Sequence, residues 1–319
     1  MIPKKILDRK IKLSLKNTII KGPKSVGKTY LVFNFLSTIN KSFDYIDCEL
    51  PLQQESKEEI LILDNFNQDC PIPKNKITYI ITDKNINIKD FEIVELSPLD
   101  FEEFFSFDKS FSISHSFDKF FKIGNFPKSI FLDDFSRNEY LKERFKLLNY
   151  DKDILKFFFS HIGEKFTLYQ VFQIIKKIKK ISKDTFYYQV NKMIEDKILF
   201  EVEKFNHPKS PKKFFAYNFA FKNILTHKKN PTLTFENIVF LEIKDKKPYY
   251  KDKLSFYLPN NNFGIMVIPF ATQEIVKEKL QEINNLDKLL VITISNEFKI
   301  DCKKFKVEVV PFYQWRFAE

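Results

Sequence analysis

The chain has 319 residues, a formal charge of +11 and 44% hydrophobic residues, enough for two or three domains. No apolar run reaches the length of a membrane span, and Met1 to Lys10 is lysine-rich without the apolar stretch of a secretory signal. These features exclude a membrane-spanning class and predict a cytoplasmic protein with no membrane partner. Cys48, Cys70 and Cys302 are far apart and lack metal-ligand spacing, which predicts a reducing compartment and no disulfide. Only four of the 53 basic residues are arginine: Arg9, Arg137, Arg144 and Arg316. Lys, Phe, Ile and Asn, all with AT-rich codons, are abundant, so the positive charge carries a polyanion reading and a compositional one side by side.

Along the chain, Asn17 to Ile20 is a short β-branched run that predicts a strand. Tyr30 to Leu36 is an apolar run that predicts a helix. Between them stand Gly22, Pro23, Lys24, Ser25, Val26, Gly27, Lys28 and Thr29, a complete GxxxxGK[ST] phosphate loop in the strand–loop–helix setting it requires. Two of the chain's 5 glycines occupy its fixed positions. The loop's N–H groups and the helix start form an anion cradle. Lys28 is the residue to reach the β- and γ-phosphates of ATP, and Thr29 the hydroxyl to meet Mg²⁺. Ile60 to Leu63 and Ile77 to Ile81 are continuous apolar runs, as in buried parallel strands. The first ends in Asp64, the expected Walker B carboxylate for Mg²⁺. Asn65 follows it, where hydrolytic enzymes of this architecture carry a glutamate base, and an amide cannot take a proton. Glu49 and Asp69 are the substitutes to consider. Thr82 and Asp83 end the next strand, where they could sense a γ-phosphate.

From Ser97 to Tyr150 the pattern is helical, with a loop at Ser110 to Ser116. Arg137 and Arg144 fall in this stretch, as surface residues or as contacts to a phosphate in cis or in trans. Residues 151–218 read as a winged helix: helices Lys152 to His161, Leu168 to Ile178 and one capped by Ser182 running to Asp196, then strands Ile198 to Phe205 and Lys213 to Asn218. Lys183, Tyr187 and Lys192 on the third helix, and Lys209 in the Pro- and Lys-rich wing tip, are the candidate DNA contacts, with Lys212 and Lys213 beside them. Beyond Thr226 the pattern is a small α+β unit. Its helices are Phe235 to Ile243 and Thr272 to Asn284. Its strands are Leu254 to Leu258, Gly264 to Phe270, Leu289 to Ile294 and Lys306 to Val310.

Several of these segments, in order, resemble prokaryotic AAA-type P-loop ATPases that carry a winged helix and a C-terminal restriction-nuclease-like domain. The resemblance rests on the phosphate loop, on Phe43 to Glu49 as the following strand, and on Ile60 to Asn65 as the Walker B strand. Val94 to Phe104 (Val-Glu-Leu-Ser-Pro-Leu-Asp-Phe-Glu-Glu-Phe) resembles the family's leucine–x–proline–leucine signature. Gly124 to Pro127 resembles the Gly-Gly-Phe-Pro element of its helical lid, Thr185 to Leu199 the end of its winged helix, and Phe235 to Leu241 the opening of its terminal domain. The resemblance implies an α/β P-loop core over residues 1–107, a helical lid over 108–150, a winged helix over 151–225 and a nuclease-like unit over 226–319. It implies an ATP-binding function, to which Thr29 and Asp64 add Mg²⁺; the winged-helix residues leave open DNA as a partner or a packing and protein-contact role. The nuclease-like strands carry neither the acid nor the lysine that would hold Mg²⁺ there; with only Glu236 and Glu242 on the preceding helix, this unit is expected to be a degenerate scaffold. The functional readings are a slow ATPase or ATP-driven switch, a non-hydrolysing nucleotide-binding interaction protein, and an ATP-regulated nuclease.

Overall fold

The computed structural model describes residues 9–50, 57–67, 69–74, 76–227 and 230–318, so most of the lysine-rich start lies outside the described residues. The chain opens with five parallel strands, β1 (Thr18–Lys21), β2 (Asp44–Asp47), β3 (Ile60–Asp64), β4 (Ile77–Thr82) and β5 (Glu92–Glu95), and one helix, α1 (Lys28–Thr38). The sheet order is β2-β3-β4-β1-β5, with every pairing parallel. This is the parallel α/β sheet that the apolar runs foretold. β3 is buried throughout and β4 nearly so, because both faces are covered. Ile20, Val32, Leu36, Ile62 and Ile81 pack together on the α1 side. Ile19, Leu61, Leu63 and Ile80 pack on the other, under Phe66 and Cys70 from a connecting loop.

The strand order decides which polar ends meet. β4 lies between β1 and β3, so Thr82 stands between the phosphate loop and Asp64 at the carboxyl edge of the sheet. Open α/β sheets bind ligands outside that edge.

Next come α2 (Phe101–Phe107), α3 (Ile113–Ile123), a 3₁₀ turn (Pro127–Phe131) and α4 (Asp134–Leu147). α3 starts inside the stretch expected to be a loop, because Ser112 caps it by accepting from the His115 N–H at 3.2 Å. α5 (Lys152–Ser160), β6 (Lys165–Phe166), α6 (Leu168–Ile178), α7 (Lys183–Glu195), β7 (Leu199–Val202) and β8 (Lys212–Ala216) form three helices and an antiparallel sheet of order β6-β8-β7. α8 (Phe221–Leu225) leads to α9 (Pro231–Ile243), which starts four residues before the apolar run, with Asn230 as its cap and Pro231 in the first turn.

The terminal unit adds β9 (Tyr249–Lys251), β10 (Leu254–Leu258), β11 (Phe263–Val267), α10 (Gln273–Gln281), β12 (Lys288–Thr293), β13 (Lys306–Pro311) and α11 (Phe312–Ala318). Its sheet is mixed, of order β13-β12-β11-β10-β9, antiparallel through β9, β10 and β11 and parallel from β11 to β13. β11 ends before Pro269, which has no N–H to give a ladder; the Pro269 carbonyl instead accepts from Ile294 N at 3.0 Å.

One aromatic core runs through everything after β5 except the far face of the terminal sheet. Phe117 stacks on Phe312 at 4.8 Å, Phe159 on Phe221 at 5.3 Å, and Phe215 on Phe240 at 4.5 Å. Asn125 joins its parts: it accepts from Leu99 N and donates to Tyr217 O, both at 3.0 Å. No helix among the described residues is long and apolar enough to cross a membrane.

The expectation of a disulfide-free chain is overturned. Cys48 and Cys70 are disulfide-bonded, with Cα atoms 5.8 Å apart. β2 and β3 are parallel neighbours, so their carboxyl ends emerge side by side, and the loop after β3 folds back under the end of β2. The inference of a reducing compartment from cysteine spacing loses its basis with this bond.

Candidate nucleotide-binding site

The phosphate loop bridges β1 and α1 with Ser25 at φ 73° and Gly27 at φ 95°. Gly27 serves that left-handed turn. Gly22 answers a different demand, since a Cβ there would meet the Leu96 carbonyl oxygen at 2.1 Å. The loop is tied to the sheet by Gly22 N donating to Thr82 O at 3.2 Å.

Lys28 Nζ donates to the carbonyls of Gly22 at 2.7 Å and Pro23 at 2.9 Å. Burial lowers the Lys28 ammonium to about 8, against the opposing pull of Asp83 and Asp64. Thr29 Oγ1 donates to Asp64 Oδ2 at 2.6 Å. The chain thus brings the loop hydroxyl and the β3 carboxylate together across 35 residues of sequence. A hydroxyl and a carboxylate are the hard oxygen donors that suit Mg²⁺. Lys24 lies 4.0 Å from Asp83.

These groups open on a cavity of about 860 Å³, lined also by Tyr30, Glu49, Asn65, Thr82, Pro127, Phe131, Tyr140 and Arg144. Its size lies within the range of small-molecule sites. The sheet edge supplies one wall and the 3₁₀ turn and α4 the other. Glu49 reaches it; Asp69 instead donates its N–H to Asn67 Oδ1 at 2.9 Å and takes no part in the lining. Arg144 lines the cavity in cis, over the Tyr140 ring at 5.2 Å. Arg137 does not. It is 8% exposed and binds Ser129 O, Leu132 O and Asp134 within its own segment, so neither a surface nor a phosphate role describes it.

Asn65 sits at φ 50°, a conformation asparagine tolerates better than glutamate. Its Nδ2 donates to Asp47 Oδ1 at 3.0 Å.

Three groups at the site escape motif reading. Arg9 donates to Val26 O at 2.9 Å, Ser97 O at 2.8 Å and Glu103 Oε1 at 2.8 Å, fastening the loop to α2. Tyr45 Oη donates to Asp64 Oδ2 at 3.0 Å, and burial followed by the Asp64 charge pushes its hydroxyl pKa up. Asp47 accepts from Asn65. Tyr45 and Asp47 lie two apart on β2 and share a face by the strand period, which was the available signal for them. Arg9 precedes the sheet and had none.

The candidate DNA contacts divide. Lys183 is exposed and lies over the Tyr187 ring at 5.7 Å. Lys209 is exposed in the turn between β7 and β8. Lys192 is elsewhere: nine residues from Lys183 is about 900°, half a turn out of phase. It lies over the Tyr150 ring at 5.9 Å and lines the crevice against Pro23, Asn65 and Asp83. Lys212 pairs with Glu201 and Glu203, and buried Lys213 pairs with Glu236 and donates to Ser255 O. Glu242 is held by Arg316 at 3.0 Å and by Phe101 N at 3.1 Å. Glu236 and Glu242, the two acids of α9, are therefore engaged within the chain.

No protein-family profile matches the chain, and no curated protein is detectably similar to it.

Proposed function

We propose that the chain is an ATP-binding AAA-type protein, a slow ATPase or ATP-driven switch, with a winged helix at α5 to β8 that associates with DNA. The observation that carries the nucleotide reading is the Thr29–Asp64 contact at 2.6 Å beside Lys28, on the lining of one cavity. In this reading Lys28 leaves the Gly22 and Pro23 carbonyls for the β- and γ-phosphates, and the loop N–H groups wrap them. Thr29 and Asp64 would hold Mg²⁺, which would supply charge neutralisation on the phosphates. Arg144 approaches from the lid side. Asn65 holds the end of β3 against Asp47, and of the two substitutes Glu49 and Asp69 it is Glu49 that lines the cavity. Slow turnover follows from a base that is exposed and unaligned.

The non-hydrolysing reading draws on the same Asn65–Asp47 bond, since it commits the Walker B position to structure. The terminal unit serves as a packing partner, with Lys213 from the wing strand occupying the acid Glu236.

The test is a melting curve with and without Mg²⁺–ATP. A ligand that binds only the folded state raises the melting temperature, by the equivalent of about 2.7 kcal/mol at a hundredfold excess over Kd. The rise should vanish in Lys28→Ala; an undiminished rise in that variant refutes the site. Phosphate release then separates the slow ATPase from the non-hydrolysing protein. For DNA, Lys183→Glu with Lys209→Glu should weaken low-salt binding, while Lys277→Glu with Lys279→Glu should not. Equal effects, or no binding at low salt, remove the DNA reading.

A further inference from the structure

We propose that Cys48 and Cys70 form a thiol–disulfide switch on the metal side of the nucleotide site, a deepening that rests on the nucleotide reading above. The bond is placed at the carboxyl ends of β2 and β3, within the hydrogen-bond network that positions Asp64. Cys48 N donates to the Asp64 carbonyl at 2.9 Å, and Asn67 Nδ2 donates to the Cys48 carbonyl at 3.0 Å. Cys70 N donates to the Asn67 carbonyl at 3.2 Å. The residues flanking Cys48 are site residues: Asp47 accepts from Asn65 and from Glu49 N, and Glu49 lines the cavity. The covalent link therefore fixes the loop after Asp64 to the turn that carries Glu49.

The two cysteine residues differ in exposure. Cys70 is 7% exposed, whereas Cys48 is partly exposed, so a reductant meets Cys48 first. A thiolate of a dithiol reductant attacks Cys48 Sγ, forming a mixed disulfide and releasing Cys70 as thiolate. The second thiol of the reductant then attacks its own sulfur in that mixed bond and releases Cys48. The reductant leaves as an intramolecular disulfide. Two electrons and two protons pass to the chain, which ends with two thiols; an oxidant of the disulfide class reverses the step.

The phosphate loop has anchors of its own outside this network, through Arg9 on Val26 O and through Gly22 N on Thr82 O, and meets it at the Thr29–Asp64 contact. Opening the bond should therefore act on the metal-dependent part of ATP binding. The experiment measures ATP affinity of the full chain with Mg²⁺ and with chelator, in the oxidised form and after treatment with a dithiol, with thiol labelling to count free cysteines. Affinity for Mg²⁺–ATP should fall roughly fivefold on reduction, the scale of one disturbed hydrogen bond, with affinity in chelator unchanged. Cys48→Ser should show the weaker value in both forms, and Cys302→Ser should respond as the wild type does. Equal Mg²⁺–ATP affinity in the two forms overturns the switch and leaves the nucleotide reading intact. Absence of ATP binding in either form overturns both. Labelling of Cys48 and Cys70 as free thiols before any reductant is added, under air, also overturns the switch.

Discussion

The sheet unit before Leu96 and the body after it are built on opposite terms. The sheet unit is mainly aliphatic, with two thin layers of Ile, Leu and Val on its faces that admit Tyr79 on one side and Phe66 on the other. A cluster of its polar groups gathers at the carboxyl edge, with Lys28 on loop carbonyls and Thr29 and Tyr45 on Asp64. The body has a large aromatic core, and buried charges within it pair with each other, as Lys213 with Glu236 and Arg316 with Glu242. The lesson is a division of labour. Paired charge inside a packed core gives shape, and loosely partnered charge at a sheet edge gives binding.

That contrast breaks most readily in the body. Phe117→Ala removes a ring that packs on Phe101, Phe235 and Phe312 and should cost about 3–5 kcal/mol in denaturant unfolding. Glu236→Ala should cost a similar amount, about 3–5 kcal/mol, because it leaves Lys213 buried without its acid. Restoration of stability in Glu236→Ala with Lys213→Met would show that the cost is the stranded charge and not the lost contact.

At the sheet edge the effects are on ligand rather than fold. The lowered Lys28 pKa means the folded chain disfavours the ammonium relative to the unfolded one. Its penalty is full below about 8 and disappears as pH rises to the ordinary lysine value of 10.5. Folding stability from this residue should therefore increase over that window, while ATP affinity should fall as the cation is lost. Lys28→Arg should flatten the affinity profile, since guanidinium does not titrate there. A wild-type profile flat to about pH 10 would contradict the buried ammonium.

Asn65→Glu alone should leave phosphate release low, because the new carboxylate faces Asp47 and a left-handed backbone; paired with Asp47→Asn it should raise turnover. A rise in the single variant would show that Asp47 does not oppose it. The smallest effect belongs to Tyr45→Phe, which frees Asp64 Oδ2 of one donor and should tighten Mg²⁺ by about twofold in a metal titration, a small part of the value of a hydrogen bond to a charged group because water takes the donor's place.

Much of this contrast was readable in advance. The phosphate loop, the β3 and β4 runs and the Ser182 cap are local patterns, and local patterns survive folding. What was hidden depended on distant partners. The Cys48–Cys70 bond links neighbours in the sheet that spacing does not relate, and α11 is short and follows β13 without a break. The turn around Lys192 was different, because helical phase alone separates it from Lys183. Asn65 was visible as a departure but not explicable until its backbone angle and Asp47 were known.

Arg9 gives the molecule a lever. One guanidinium grips the phosphate loop at Val26 and, through Glu103, the first turn of α2. The neighbouring Glu102 on that turn holds Arg316 of α11 at 2.9 Å. A displacement of the loop would pull on α2, and α2 is fastened to α11. Two arginines and a single turn of helix join the phosphate loop to α11, so amide protection in α11 should register a change at Lys28.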